Sequence, residues 1–136
     1  MANKSFWQRL ALVALLPLLL ITGEASAQAH AQLLVSSPPI GATLTMAPTS
    51  VELTFDDDVM DLPGGNQIVV LDPKKHQVQV SETYVVGSKV WVKLRKLKLY
   101  GKYSVLYKVM SIDGHPVTAT YRFYLVKKIP KSLKTK

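Results

Sequence analysis

The sequence predicts an all-β domain, an antiparallel sandwich of about seven short strands, and three observations carry that expectation. Residues 32–126 hold short runs rich in Val, Leu, Tyr and Phe, cut by Pro, Gly, Asp and Ser, with no long helical period competing. Several runs alternate with a period of two: Val90, Val92 and Leu94 oppose Lys89, Trp91 and Lys93, while Val78 and Val80 oppose Gln77, Gln79 and Ser81. The runs recur at intervals of about 8 to 15 residues, as in an immunoglobulin-like or cupredoxin-like sandwich.

In chain order the expected strands are Leu33–Ser36, Val51–Phe55, Gln67–Leu71, Gln77–Ser81, Lys89–Leu94, Tyr103–Met110 and Thr120–Val126. Turns are expected at Leu62-Pro63-Gly64-Gly65-Asn66 and Leu71-Asp72-Pro73-Lys74-Lys75, where Pro presets φ and Gly accepts positive φ. Tyr103, two residues after Gly101, is placed to hydrogen-bond back across the preceding connection. Trp91 and Tyr107 are expected in the core, and Met46, Met60 and Met110 as scattered packing residues.

A chain of 136 residues, 48% of them hydrophobic, supports one domain with a real core. Residues 1–29 are set apart by the grammar of a cleaved secretory signal: Lys4 and Arg9, an apolar run from Leu10 to Ile21, then small residues ending in Ala27-Gln28-Ala29. That run is too short to span a bilayer, so no stable membrane insertion is expected after processing. Cleavage after Ala29 leaves His30 first; a second triplet, Ala25-Ser26-Ala27, would instead leave Gln28 first. Loss of the leader takes the net charge from +8 to +7. The organisation expected is therefore a leader over 1–29, a domain over 30–126, and a basic, disordered tail over 127–136 that carries five lysines. A solubilising end accounts for the tail, and no nucleic-acid function is assigned to it.

With no cysteine, disulfides and thiolate metal chemistry are excluded, and any metal must use nitrogen, oxygen or thioether ligands. Two of the three histidines have suitable settings. As a mature N-terminus, His30 would join its α-amine and imidazole in one chelate ring, and a free α-amine loses its proton far more readily than a lysine. His115 lies in Ser111-Ile112-Asp113-Gly114-His115-Pro116, where Asp113 and His115 are two apart at a strand end. Up to three nitrogens and a carboxylate oxygen suit tetragonal Cu(II), with zinc the chief competitor. By itself the Asp-Gly-His-Pro run is also an ordinary turn sequence. His76 reads as a surface residue.

From His30 to Val126 the chain resembles the CopC family of periplasmic copper-resistance proteins. The matching residues are His30-Ala31, Ser36-Ser37-Pro38-Pro39 with Gly41, Val51-Glu52-Leu53-Thr54-Phe55, Leu99-Tyr100-Gly101-Lys102-Tyr103, Ser111-Ile112-Asp113-Gly114-His115-Pro116-Val117 and Phe123-Tyr124-Leu125-Val126. The resemblance implies a seven-stranded Greek-key sandwich or barrel and a site for one Cu(II) ion held by His30, Asp113 and His115. Some members add an acidic residue after the Phe of the second strand, and Asp57 is the match here, with a shorter reach than the more usual Glu. A methionine-rich Cu(I) loop is not expected, because residues 66–87 contain no Met.

The resulting expectation is a monomeric periplasmic carrier that sequesters or delivers copper, with an inner-membrane copper permease as partner and no catalytic activity. Two rivals are a histidine-brace copper monooxygenase and a metal-free interaction module on the same sandwich.

Overall fold

The computed structural model of the chain describes residues 31–128; the expected leader, His30 and the last eight residues lie outside the described residues. Eight strands form: β1 (Leu33–Ser37), β2 (Thr43–Leu44), β3 (Ser50–Phe55), β4 (Gln67–Leu71), β5 (Tyr84–Val86), β6 (Lys89–Lys93), β7 (Gly101–Met110) and β8 (Pro116–Leu125). They make two four-stranded sheets, ordered β1-β3-β6-β5 and β2-β8-β7-β4. The chain stays within one sheet only in the β5–β6 and β7–β8 hairpins and crosses between sheets at every other connection, the Greek-key manner of closing a sandwich.

Alternation with a period of two, read from the sequence for β6, is what faces the sheets inward. Val51, Leu53 and Phe55 of β3, Val90 and Val92 of β6, Ile68 and Val70 of β4, and Val105 and Val109 of β7 are all buried between the layers, while Lys89, Lys93 and Lys108 point outward. Tyr107 is buried edge-on against Phe55, with ring centroids 5.8 Å apart. Both expected turns form. Gly64 has φ 70°, and the Gly65 N–H donates to the Leu62 carbonyl at 2.8 Å. In the other turn, Asp72 Oδ1 accepts the N–H groups of Lys74 and His76.

Five expectations are corrected. Gln77–Ser81 is not a strand: Gln77 bridges to Leu71 in one sheet and Gln79 to Leu94 beside the other, so the segment spans the gap between layers and cannot ladder with either. Val78 is buried there but Val80 is 63% exposed, and side chains supplement isolated backbone bonds to Val70, Lys93 and Arg95, with Gln79 Oε1 accepting the Val70 N–H and Ser81 Oγ the Lys93 N–H. The count rises to eight through β2 and β5, of two and three residues, too short to show a period. Pairing is also not wholly antiparallel, since β2 runs parallel to β8. Trp91 lies half-buried on the outer face, stacked on Tyr84 at 5.5 Å, and Met46 is 83% exposed rather than packed.

Two buried tyrosines make a matched pair. The Tyr103 hydroxyl donates to the Leu99 carbonyl at 2.8 Å, the backward bond expected from the sequence. The Tyr121 hydroxyl is buried without a hydrogen-bond partner, although Ser36 stands close enough to offset a little of the rise that burial imposes on its pKa. Burial pushes the Tyr121 phenol up to about 12. Tyr103→Phe is expected to lower stability by about 1 kcal/mol, whereas Tyr121→Phe, by removing an unsatisfied buried hydroxyl, should be neutral or raise it by about as much. Because the fold favours the neutral phenol over its ionised form, this group leaves stability undiminished below about pH 10 and lowers it as pH rises from there through 12. Denaturant melts of both variants, from neutral to alkaline pH, check the opposite signs and the flatter alkaline limb expected of Tyr121→Phe.

Candidate metal centre

The hairpin joining β7 to β8 is closed by Ser111–His115. The Gly114 N–H donates to the Ser111 carbonyl and the Ser111 N–H to the His115 carbonyl, both at 2.9 Å. Gly114 sits at φ 83°, where a Cβ would be strained. The Asp113 carboxylate folds back on His115: Oδ1 accepts the His115 N–H at 3.1 Å, and Oδ2 lies 3.2 Å from His115 Nδ1. A carboxylate on one ring nitrogen fixes the orientation of the other, the support a ligating imidazole needs. The imidazole itself is 66% exposed.

Ser111 ties this turn to the start of the domain. It is fully buried, and its Oγ accepts the Ala31 N–H at 3.2 Å across 80 residues of sequence. Ala31 is buried with it. The next residue is held as well: the Gln32 N–H donates to Asp56 Oδ1 at 2.6 Å, and the Asp56 N–H returns to the Gln32 carbonyl at 2.9 Å. Val59 bridges to Ser111, so the Asp56-Asp57-Asp58 loop is pinned between the first residues of the domain and the His115 turn. Asn66 completes the scaffold, donating to the Met60 carbonyl and accepting the Met110 N–H.

Of the four residues singled out from the sequence, the structure brings Asp113 and His115 into contact and places Asp57 in the adjoining loop, where its Oδ1 accepts the Asp58 N–H at 2.8 Å. His30 lies outside the described residues. Among the described residues no three His, Asp or Glu side chains form a group that could hold a metal ion. Three positions that shape the site carried no assigned role in the sequence reading: Ser111, Asp56 and Asn66. Ser111 stood within the quoted motif, but nothing local distinguishes a buried serine whose partner is 80 residues away.

Fold and site together define a small two-sheet β-sandwich that displays a carboxylate–imidazole pair on its last hairpin, next to the start of its first strand. Residues 33–126 match the CopC domain, and the chain belongs to that family. It is 27% identical to CopC from Methylosinus trichosporium OB3b, whose crystal structure it matches with a TM-score of 0.63 over 71% of this chain and 93% of that one. The structure of PcoC, a methionine-rich copper resistance protein from Escherichia coli, shares the fold at 19% identity, TM-score 0.58, over 71% of this chain and 99% of that one. The chain is 30% identical over 102 residues to the copper transport protein CutJ of Bacillus subtilis (strain 168), covering 73% of this chain and 18% of that protein's length.

Proposed function

We propose that this protein binds one Cu(II) ion at the Ser111–His115 turn and serves as a periplasmic copper carrier in copper homeostasis and resistance. The observation that carries the reading is the Ala31–Ser111 bond: it fixes the residue after His30 beside the hairpin that holds Asp113 and His115. Consecutive Cα atoms are about 3.8 Å apart, so a mature chain starting at His30 would place its α-amine and imidazole within reach of the same ion. Family membership and the copper proteins it resembles support the choice of metal.

In this reading His30 chelates through its amine and ring, and His115 ligates through Nε2 with Nδ1 held toward Asp113. Asp113 both orients His115 and offers a carboxylate oxygen to the ion, while Asp57 adds negative charge from the pinned loop. Copper is the cargo, and no substrate is transformed. Residues 1–29 act as the leader, 30–126 as the binding domain and 127–136 as a tail; the processed protein is a monomer that passes copper to an inner-membrane permease.

The test is a Cu(II) titration of protein recovered from the periplasm, with intact mass fixing the N-terminus. One equivalent bound by a chain starting at His30 is the expected result, with no product released from polysaccharide in the presence of ascorbate. Absence of copper binding would leave a metal-free module, and product release would make the protein a monooxygenase.

A further inference from the structure

Charge is segregated along the long axis of the sandwich. The end carrying the His115 turn holds Asp56, Asp57, Asp58, Asp61 and Asp113, five of the eight carboxylates between residues 31 and 128. The opposite end holds eight of the twelve Lys and Arg in the same stretch, all exposed. Lys74 and Lys75 stand in the turn after β4, and Arg95, Lys96 and Lys98 in the connection from β6 to β7. Lys102 opens β7, and Lys127 and Lys128 follow β8.

The one carboxylate in these loops, Asp72, is turned inward, with a side chain 11% exposed and Oδ1 occupied by the Lys74 and His76 N–H groups. Two large apolar side chains stand among the cations. Parallel pairing of β2 with β8 brings the 45–49 loop beside the end of β8 and presents Met46, 83% exposed. Tyr100 is 54% exposed, with Lys127 Nζ 5.6 Å from its ring centroid.

We infer that this basic end docks the domain on an anionic phospholipid surface, with the His115 turn directed away from the bilayer. The ten residues of β7 set the ends about 30 Å apart. That is several times the Debye length of about 8 Å at physiological ionic strength, so the acidic end does not cancel the attraction of the basic one. Lysines with apolar stems, an aromatic ring and an exposed thioether side chain are the chemistry of the headgroup boundary. Each cation near an anionic leaflet strengthens binding by about fivefold. The inference rests on charge placement and stands apart from the copper reading.

The experiment is sedimentation of the purified protein with vesicles of phosphatidylglycerol and phosphatidylcholine in equal parts, or of phosphatidylcholine alone. Binding is expected only with phosphatidylglycerol, falling as salt rises. Lys96→Gln with Lys98→Gln should weaken it by about tenfold or more, whereas Lys89→Gln with Lys108→Gln, which removes the same charge from the sheet faces, should change it by less than about twofold. Orientation is read from an environment-sensitive dye on a single introduced thiol: Met46→Cys should respond to vesicles and Leu62→Cys, at the acidic end, should not. Equal losses in the two double variants would reduce the effect to net charge and overturn the inference. So would binding to single-stranded DNA without binding to vesicles, or salt-sensitive self-association through the two ends in place of vesicle binding.

Discussion

His115→Ala is expected to weaken Cu(II) binding by on the order of a hundredfold or more while leaving the fold intact. The imidazole is 66% exposed, so removing it opens no cavity, and the hairpin that presents it is closed by backbone bonds between Ser111, Gly114 and His115 that alanine retains. Asp113→Asn should cost less, about tenfold, because an amide oxygen can still accept the His115 N–H while the negative charge facing Nδ1 is lost. Competition against a chelator of known affinity, with circular dichroism as the check on folding, separates the two effects. Wild-type affinity in both variants would remove the hairpin from the site.

The second large effect falls on stability. Phe123→Ala is expected to destabilise the domain by about 3–5 kcal/mol, from lost burial and the cavity left behind. Phe123 is fully buried, pairs with Tyr103 across β7 and β8, and stacks on its ring at 5.1 Å with the planes 4° apart. With no disulfide to restrain the unfolded chain, that is a large share of the roughly 5–15 kcal/mol available to a domain of this kind. Denaturant melts measure the loss. Copper binding should weaken with it once the unfolded fraction is substantial, because the proposed ligands meet only in the folded sandwich.

How much was legible depended on where the information lay. Strands with one buried face announced themselves: the alternation in β6 put Val90 and Val92 inward as read, and β7 was placed as a strand, with Val105 and Val109 buried along it. β8 was placed four residues late, because Pro116 to Thr120 contains no buried residue and shows no period. The Gln77–Ser81 segment failed for the opposite reason, since alternating valines imitate a strand whose partners the sequence cannot show. At the site, Asp113 and His115 were readable because two residues in one turn must be neighbours. Their tie to Ala31 through Ser111, and the capture of Gln32 by Asp56, are long-range contacts with no local signature. Resemblance to a family supplied the proposed link between His30 and the distant hairpin; among the described residues, the Ala31–Ser111 bond holds the residue after it beside that hairpin.

The account stands most directly on the position of His30. Cu(II) affinity should be measured for the protein beginning at His30 and for the same protein with one alanine before it, each with and without His115→Ala. A folded site predicts that the added residue weakens binding by on the order of a hundredfold, since it removes the α-amine from the chelate, and that His115→Ala then costs little more. If the extended protein binds as tightly as the processed one and ignores the loss of His115, copper is held by a local N-terminal peptide and the site proposed between the first strand and the last hairpin does not exist.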